Sequence, residues 1–138
     1  MDWKKVRDTY GHKKVLDFYG KPQFAELGIL RIMERSGWQG VWVDTYRNRF
    51  RTRYWPKDAV ELPPKQANIL NRIREKAGSR AGCFDVFCWK GNQVVFIECK
   101  RRDKDRIRET QKRWLQVANL NCGIPFKSFL IVEWSVPE

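Results

Sequence analysis

The chain has one histidine, His12, and no two cysteines at C-x-x-C spacing. A single histidine excludes ribonuclease chemistry that runs on a histidine pair. It also leaves no clustered Cys and His set of the kind that holds zinc. The four cysteines are Cys83, Cys88, Cys99 and Cys122, and most lie in apolar stretches, where buried free thiols are expected. Long apolar runs are lacking as well. The longest purely aliphatic or aromatic ones are Val94 to Ile97 and Phe129 to Val132, against the roughly 20 residues a membrane-spanning helix needs. The opening MDWKKVRDTYGHKK contains no apolar core of the signal-peptide kind. An intracellular chain with no membrane partner is expected. No repeat, low-complexity tract or linker interrupts the 138 residues, so one domain over 1–138 is expected, with 1–21 as a basic arm or a short helix.

Acidic residues are scarce relative to basic ones. Asp and Glu total 16 against 28 Lys and Arg, a net charge of +12. That excess points to a polyanionic partner, nucleic acid first. Hydrophobic residues are 42% and aromatics 14% of the chain, which excludes a disordered polycation and allows a packed core.

Patterning predicts an α/β domain around a mixed sheet, in the order α-β-β-α-β-β-α-β. A helix is expected from about Gln23 to Arg35, after Pro22 and before Gly37. Val41 to Tyr46 and Arg47 to Trp55 read as strands. Pro63-Pro64 opens a second helix, which Gly78 stops. Cys83 to Trp89 and Val94 to Lys100 read as a hairpin joined at Gly91-Asn92. A third helix is expected from about Asp105 to Asn121, and a last strand from Lys127 to Trp134.

A two-residue turn at Gly91-Asn92 pairs Lys90 with Gln93. Counting outward then sets Asp85 across from Glu98, with side chains on one face. Period-2 alternation adds Lys100 to that face. Glu-x-Lys alone is an ordinary ion pair. A second carboxylate in register makes a site where two like charges favour a shared cation. Mg²⁺ suits such oxygen donors. Lys100 is placed to orient or help deprotonate a water, or to neutralise charge on a phosphate. On the first helix, Glu26 falls among apolar positions and is the candidate third acid. The third helix carries a stripe of Ile107, Gln111, Trp114, Leu115, Ala118 and Cys122, in which Gln111 alone is polar and must find hydrogen bonds.

These residues, in GCFDVFCWKGNQVVFIECKRRDKDRIRETQKRWL, resemble the VRR-NUC family of the PD-(D/E)xK nuclease superfamily. The strong part runs from Gly82 to about Val132. The family carries Pro before the Asp, where this chain has Phe84. The resemblance implies a restriction-endonuclease-like core and cleavage of DNA with Mg²⁺ or Mn²⁺. It implies Asp85, Glu98 and Lys100 as the catalytic trio, Glu26 as the first-helix acid and Gln111 as the helix Gln. It makes the backbone carbonyl of Cys99 a further metal ligand. It also implies a homodimer selective for structured DNA, four-way (Holliday) junctions included.

Arg47, Arg49, Arg51 and Arg53 alternate along the second predicted strand and would share a face suited to phosphate contacts. Arg101, Arg102 and Lys104 begin a second basic cluster beside the hairpin. Trp55 is the candidate exposed ring. The readings held beside a DNA endonuclease are a non-catalytic DNA-binding module on the same fold and an RNA-processing nuclease.

Overall fold

Alternation along the central strands sorts the apolar side chains into two cores, one on each face of a mixed sheet. In the computed structural model, residues 5–10, 13–18, 21–44, 48–53, 59–103 and 105–135 are described, with side chains from Phe24 onward. The first elements are strands β1 (Lys5–Tyr10), β2 (Lys13–Phe18) and β3 (Lys21–Gln23), an antiparallel sheet in that order. Helix α1 (Ala25–Arg35) leads to β4 (Gln39–Asp44), β5 (Arg49–Arg51) and β6 (Ala59–Val60). Then come α2 (Pro64–Ala77), the hairpin β7 (Val86–Lys90) and β8 (Gln93–Arg101), α3 (Glu109–Gln116) and β9 (Phe129–Trp134). The second sheet runs β6-β5-β4-β7-β8-β9. Its neighbours are antiparallel except β8 and β9, which are parallel across the α3 connection.

One core joins Val41, Val43, Phe87, Trp89 and Phe96 to Leu70 and Ile73 of α2 and Trp114 of α3. Phe84, Phe96, Trp114 and Phe129 pack there ring against ring, with centroids 4.9–6.0 Å apart. The other core joins Trp42, Val86, Cys88, Ile97 and Cys99 to Phe24, Leu27 and Leu30 on the α1 side and to Trp134. Helices therefore flank the sheet on both faces. Trp89, Trp114 and Trp134 are all buried. Among the described residues no helix is long and apolar enough to cross a membrane.

Three expectations change. Within 1–21, read as an arm or short helix, the described residues Lys5–Tyr10 and Lys13–Phe18 form strands β1 and β2 and Lys21 opens β3, because backbone pairing between neighbouring segments overrides their polar composition. The strand expected from Arg47 to Trp55 keeps only Arg49–Arg51 among the described residues. Helix α3 starts at Glu109 rather than Asp105, because Asp105 instead accepts the Arg101 N–H at 2.9 Å and closes a turn. Helix α2 ends as expected, with Gly78 in the left-handed conformation at φ 71.

Candidate active site

The hairpin has the expected register. Lys90 pairs with Gln93 and the ladder runs to Val86 and Ile97. At the next position the backbone ladder stops and side chains take over its hydrogen bonds. The Asp85 N–H donates to Glu98 Oε1 at 3.1 Å, and the Cys99 N–H donates to Asp85 Oδ2 at 2.8 Å. The Asp85 carbonyl accepts from the Val43 N–H at 2.7 Å, which ties the same residue to β4. Asp85 and Glu98 are thus held together at the point where β7 parts from β8.

Glu98 is 2% exposed, and a carboxylate so deep needs partners. Lys100 Nζ lies 2.9 Å from its Oε2, with the lysine side chain only 12% exposed. Gln111 Nε2 donates to the same oxygen. The Gln111 Oε1 accepts the N–H of Arg108, the residue capping α3, at 3.0 Å. Gln111 therefore spends its amide on two buried tasks, satisfying Glu98 and closing the helix start. This answers what the lone polar member of the α3 stripe is for.

Gly82 explains how α3 comes so close. Its φ is +91, and a Cβ built there would lie 2.0 Å from the Thr110 carbonyl oxygen and 3.0 Å from Gln111 N. No side chain fits. The first turn of α3 rests on bare backbone three residues before Asp85. The sequence reading used Gly82 only as part of a motif and missed this contact. Phe84 is wholly buried and stacks on Trp114, with ring centroids 5.3 Å apart.

The other candidates separate. Glu26 is half-buried in the first turn of α1, whose apolar residues cover the opposite face of the sheet from Gln111 and Phe96. Among the described residues no three His, Cys, Asp or Glu side chains form a group able to hold a metal, so Glu26 does not complete a carboxylate triad. Cys99 sends its thiol into the α1 core and its N–H to Asp85.

The arginine row also breaks. Arg51 is 4% exposed and its Nε bonds Asp44 Oδ2 at 3.0 Å. This buried pair has structural work and takes Arg51 out of a phosphate-facing row. Arg49 and Arg53 are exposed, and the Arg53 carbonyl accepts from the Trp42 indole N–H at 2.6 Å. Arg47, Trp55 and Lys104 lie outside the described residues. In the second cluster, Arg101 lies over the Trp134 ring at 5.5 Å and Arg102 is 3.7 Å from Glu133, so part of that charge is used internally.

The thiols are insulated. Burial, opposed by Arg74 and helped by Asp85 and Glu98, pushes Cys83 up to about 12. Burial likewise pushes Cys88 up to about 12, with Glu34 adding to it. Both stay neutral in the folded chain between pH 9 and about 12, where the unfolded chain gives up these protons. The unfolded state then binds fewer protons, so folding stability falls as pH rises through that window. Urea titrations from pH 8 to 11 are expected to show the decline, and a Cys83→Ala/Cys88→Ala variant to show a shallower one. Equal slopes would refute the assignment.

Comparison with protein-family models, with curated proteins and with solved structures finds no match to this chain.

Proposed function

We propose that this chain is a metal-dependent nuclease of restriction-endonuclease-like architecture, of the VRR-NUC kind, acting on structured DNA. The observation that carries the reading is the linked set of Asp85, Glu98 and Lys100 at the hairpin with Gln111 reaching Glu98 from α3, in a chain of net charge +12. The mixed sheet with helices on both faces is compatible with it.

The donor chemistry fits Mg²⁺ or Mn²⁺. Two hard carboxylates each accept a backbone N–H from the facing strand segment, Glu98 from Asp85 and Asp85 from Cys99, Asp85 is half-buried rather than sealed, and the soft thiol of Cys99 is turned away. Magnesium keeps most of its waters and takes one or two carboxylates, so a third acid is not required. Asp85 and Glu98 would hold the ion, with the Cys99 carbonyl as a further donor. Bound there, it would supply Lewis acidity toward a phosphate oxygen and acidify a water. Lys100 would stabilise the charge that builds on the phosphoryl oxygens as the P–O bond breaks, or orient the attacking water. Gln111 would keep Glu98 in place. No base-reading motif is evident, so shape selectivity is favoured, four-way junctions among the substrates. A homodimer would present two sites to opposed strands. The exposed Leu130 and Ile131 on edge strand β9 support that assembly.

The test offers four-way junctions, flaps and linear duplex, in DNA and in RNA, with Mg²⁺ or EDTA. Wild type is expected to cut DNA only with the metal. Asp85→Asn is expected to lose about 10²-fold or more in rate while still binding. Equal cutting by both proteins would point to a contaminant and end the proposal. A second reading, a non-catalytic DNA-binding module, is favoured by one observation: both Glu98 oxygens already accept from protein donors. Tight binding with no cutting in either metal would select it.

A further inference from the structure

Two connected cavities on the α2 side carry charge that the candidate active site does not use. The inner one, about 190 Å³, is lined by Cys83, Arg49, Arg74 and Arg80 among others. The outer one, about 590 Å³, shares Asn48, Arg49, Phe50 and Arg74 with it. Among the described residues no carboxylate pairs with Arg49, Arg74 or Arg80. Asp44 reaches the inner cavity but is bonded to Arg51. Cys83 is a neutral thiol and offers no counter-charge. Arg74 holds its guanidinium 5.6 Å from the Phe50 ring centroid, and its buried Nε has no hydrogen-bond partner among the described residues. Burial, with Arg80 adding to it, drives its pKa down. Guanidiniums gathered in a cleft repel one another unless an anion sits between them.

The position of this cleft is informative. Cys83 lines the inner cavity and stands two residues before Asp85 in the chain. The inner cavity therefore lies on the segment that leads into Asp85. The outer cavity adds apolar surface from Val60 and Leu62 and the amide of Asn71, and Glu61 lines it as well. Arg49, Arg74 and the Phe50 ring line the stretch that the two cavities share, Arg80 lies on the inner side and the apolar walls and the Asn71 amide on the outer, a mix that suits the phosphate and base of a nucleotide.

We propose that this cleft binds an unpaired nucleotide of the DNA strand next to the scissile phosphate. Arg49, Arg74 and Arg80 hold its phosphodiester and the outer walls at Val60, Leu62 and Asn71 take its base. A base can enter only where it is not stacked in a duplex, so the cleft selects branched or flapped DNA over blunt duplex. The inference rests on the nuclease reading and names the substrate feature it recognises.

The test is fluorescence anisotropy in EDTA with labelled single-stranded, flapped and blunt duplex DNA, over roughly 50 to 200 mM salt. Arg49→Ala/Arg80→Ala is compared with wild type and with Arg49→Lys/Arg80→Lys, after thermal melts confirm folding. Both arginines are exposed, so folding is expected to survive. For single-stranded and flapped DNA the alanine pair should weaken binding about tenfold or more and flatten the salt slope by about 0.7, for the one phosphate these arginines share. The lysine pair should keep the slope, and blunt duplex should change less. An unchanged slope, or equal loss on blunt duplex, overturns the proposal. Binding is read without metal, so the two readings fail separately. Cutting with an unaltered salt slope refutes the cleft alone. Binding through the cleft with no cutting in any divalent metal refutes the nuclease alone.

Discussion

Lys100→Met is expected to destabilise the folded chain by about 3–5 kcal/mol and to abolish cleavage. Glu98 is almost fully buried and its Oε2 faces the Lys100 ammonium at 2.9 Å. Removing the cation leaves a carboxylate out of water with only N–H donors around it, from Asp85 and Gln111. The loss is a large share of the 5–15 kcal/mol typical of a domain. Urea unfolding in EDTA measures it. Glu98→Gln/Lys100→Met should recover part of the loss, because the amide keeps an oxygen acceptor and removes the unmatched charge. The two substitutions should then couple by about 1 kcal/mol or more. A strictly additive double variant would mean that Glu98 and Lys100 do not act as a pair. Lys100→Arg keeps the charge and should fold, yet cut poorly, because a planar fork cannot occupy the place of a compact ammonium. That variant separates chemistry from stability.

Gly82→Ala is expected to cost about 3 kcal/mol or more and to reduce cleavage without touching any charged group. Two effects add. The backbone at φ +91 disfavours any side chain, and the new Cβ would meet the Thr110 carbonyl at 2.0 Å. The contact is with backbone, so the first turn of α3 must move, and Gln111 moves with it away from Glu98. Gly91→Ala is the control. Its φ is +59, but nothing lies within 4 Å of its Cβ, so it carries the backbone strain alone. Urea titrations of the two variants should differ by the cost of displacing α3. Equal losses would show that the helix yields freely and that Gly82 is not what sets its approach.

The hairpin was legible because its rules are local. A two-residue turn sets the pairing, and a period of two sets the face, so Asp85, Glu98 and Lys100 could be brought together by counting. Gln111 was legible in part. Its place in an apolar stripe demanded a partner, but Glu98 as that partner is a contact between α3 and β8 that no window of sequence contains. The arginine row was misread for the same reason. Alternation shows that Arg49 and Arg51 share a face, yet whether that face meets water depends on Asp44 and on what packs beside it. The cleft arginines had a faint signal. The buried Gln66, Leu70 and Ile73 of α2 set Arg74 at the edge of an apolar stripe, where a long side chain lays its stem on the core.

By itself the sequence determined the order of most elements, the hairpin register and the shared face of Asp85, Glu98 and Lys100, since each follows from backbone periodicity and turn length. Only the tertiary structure decided that α1 covers the far face and leaves Glu26 out of the carboxylate group, that Arg51 is buried, and that bare backbone at Gly82 admits α3. Those outcomes depend on which surfaces meet across the sheet. Periodicity marks a face as apolar or charged without saying what will cover it.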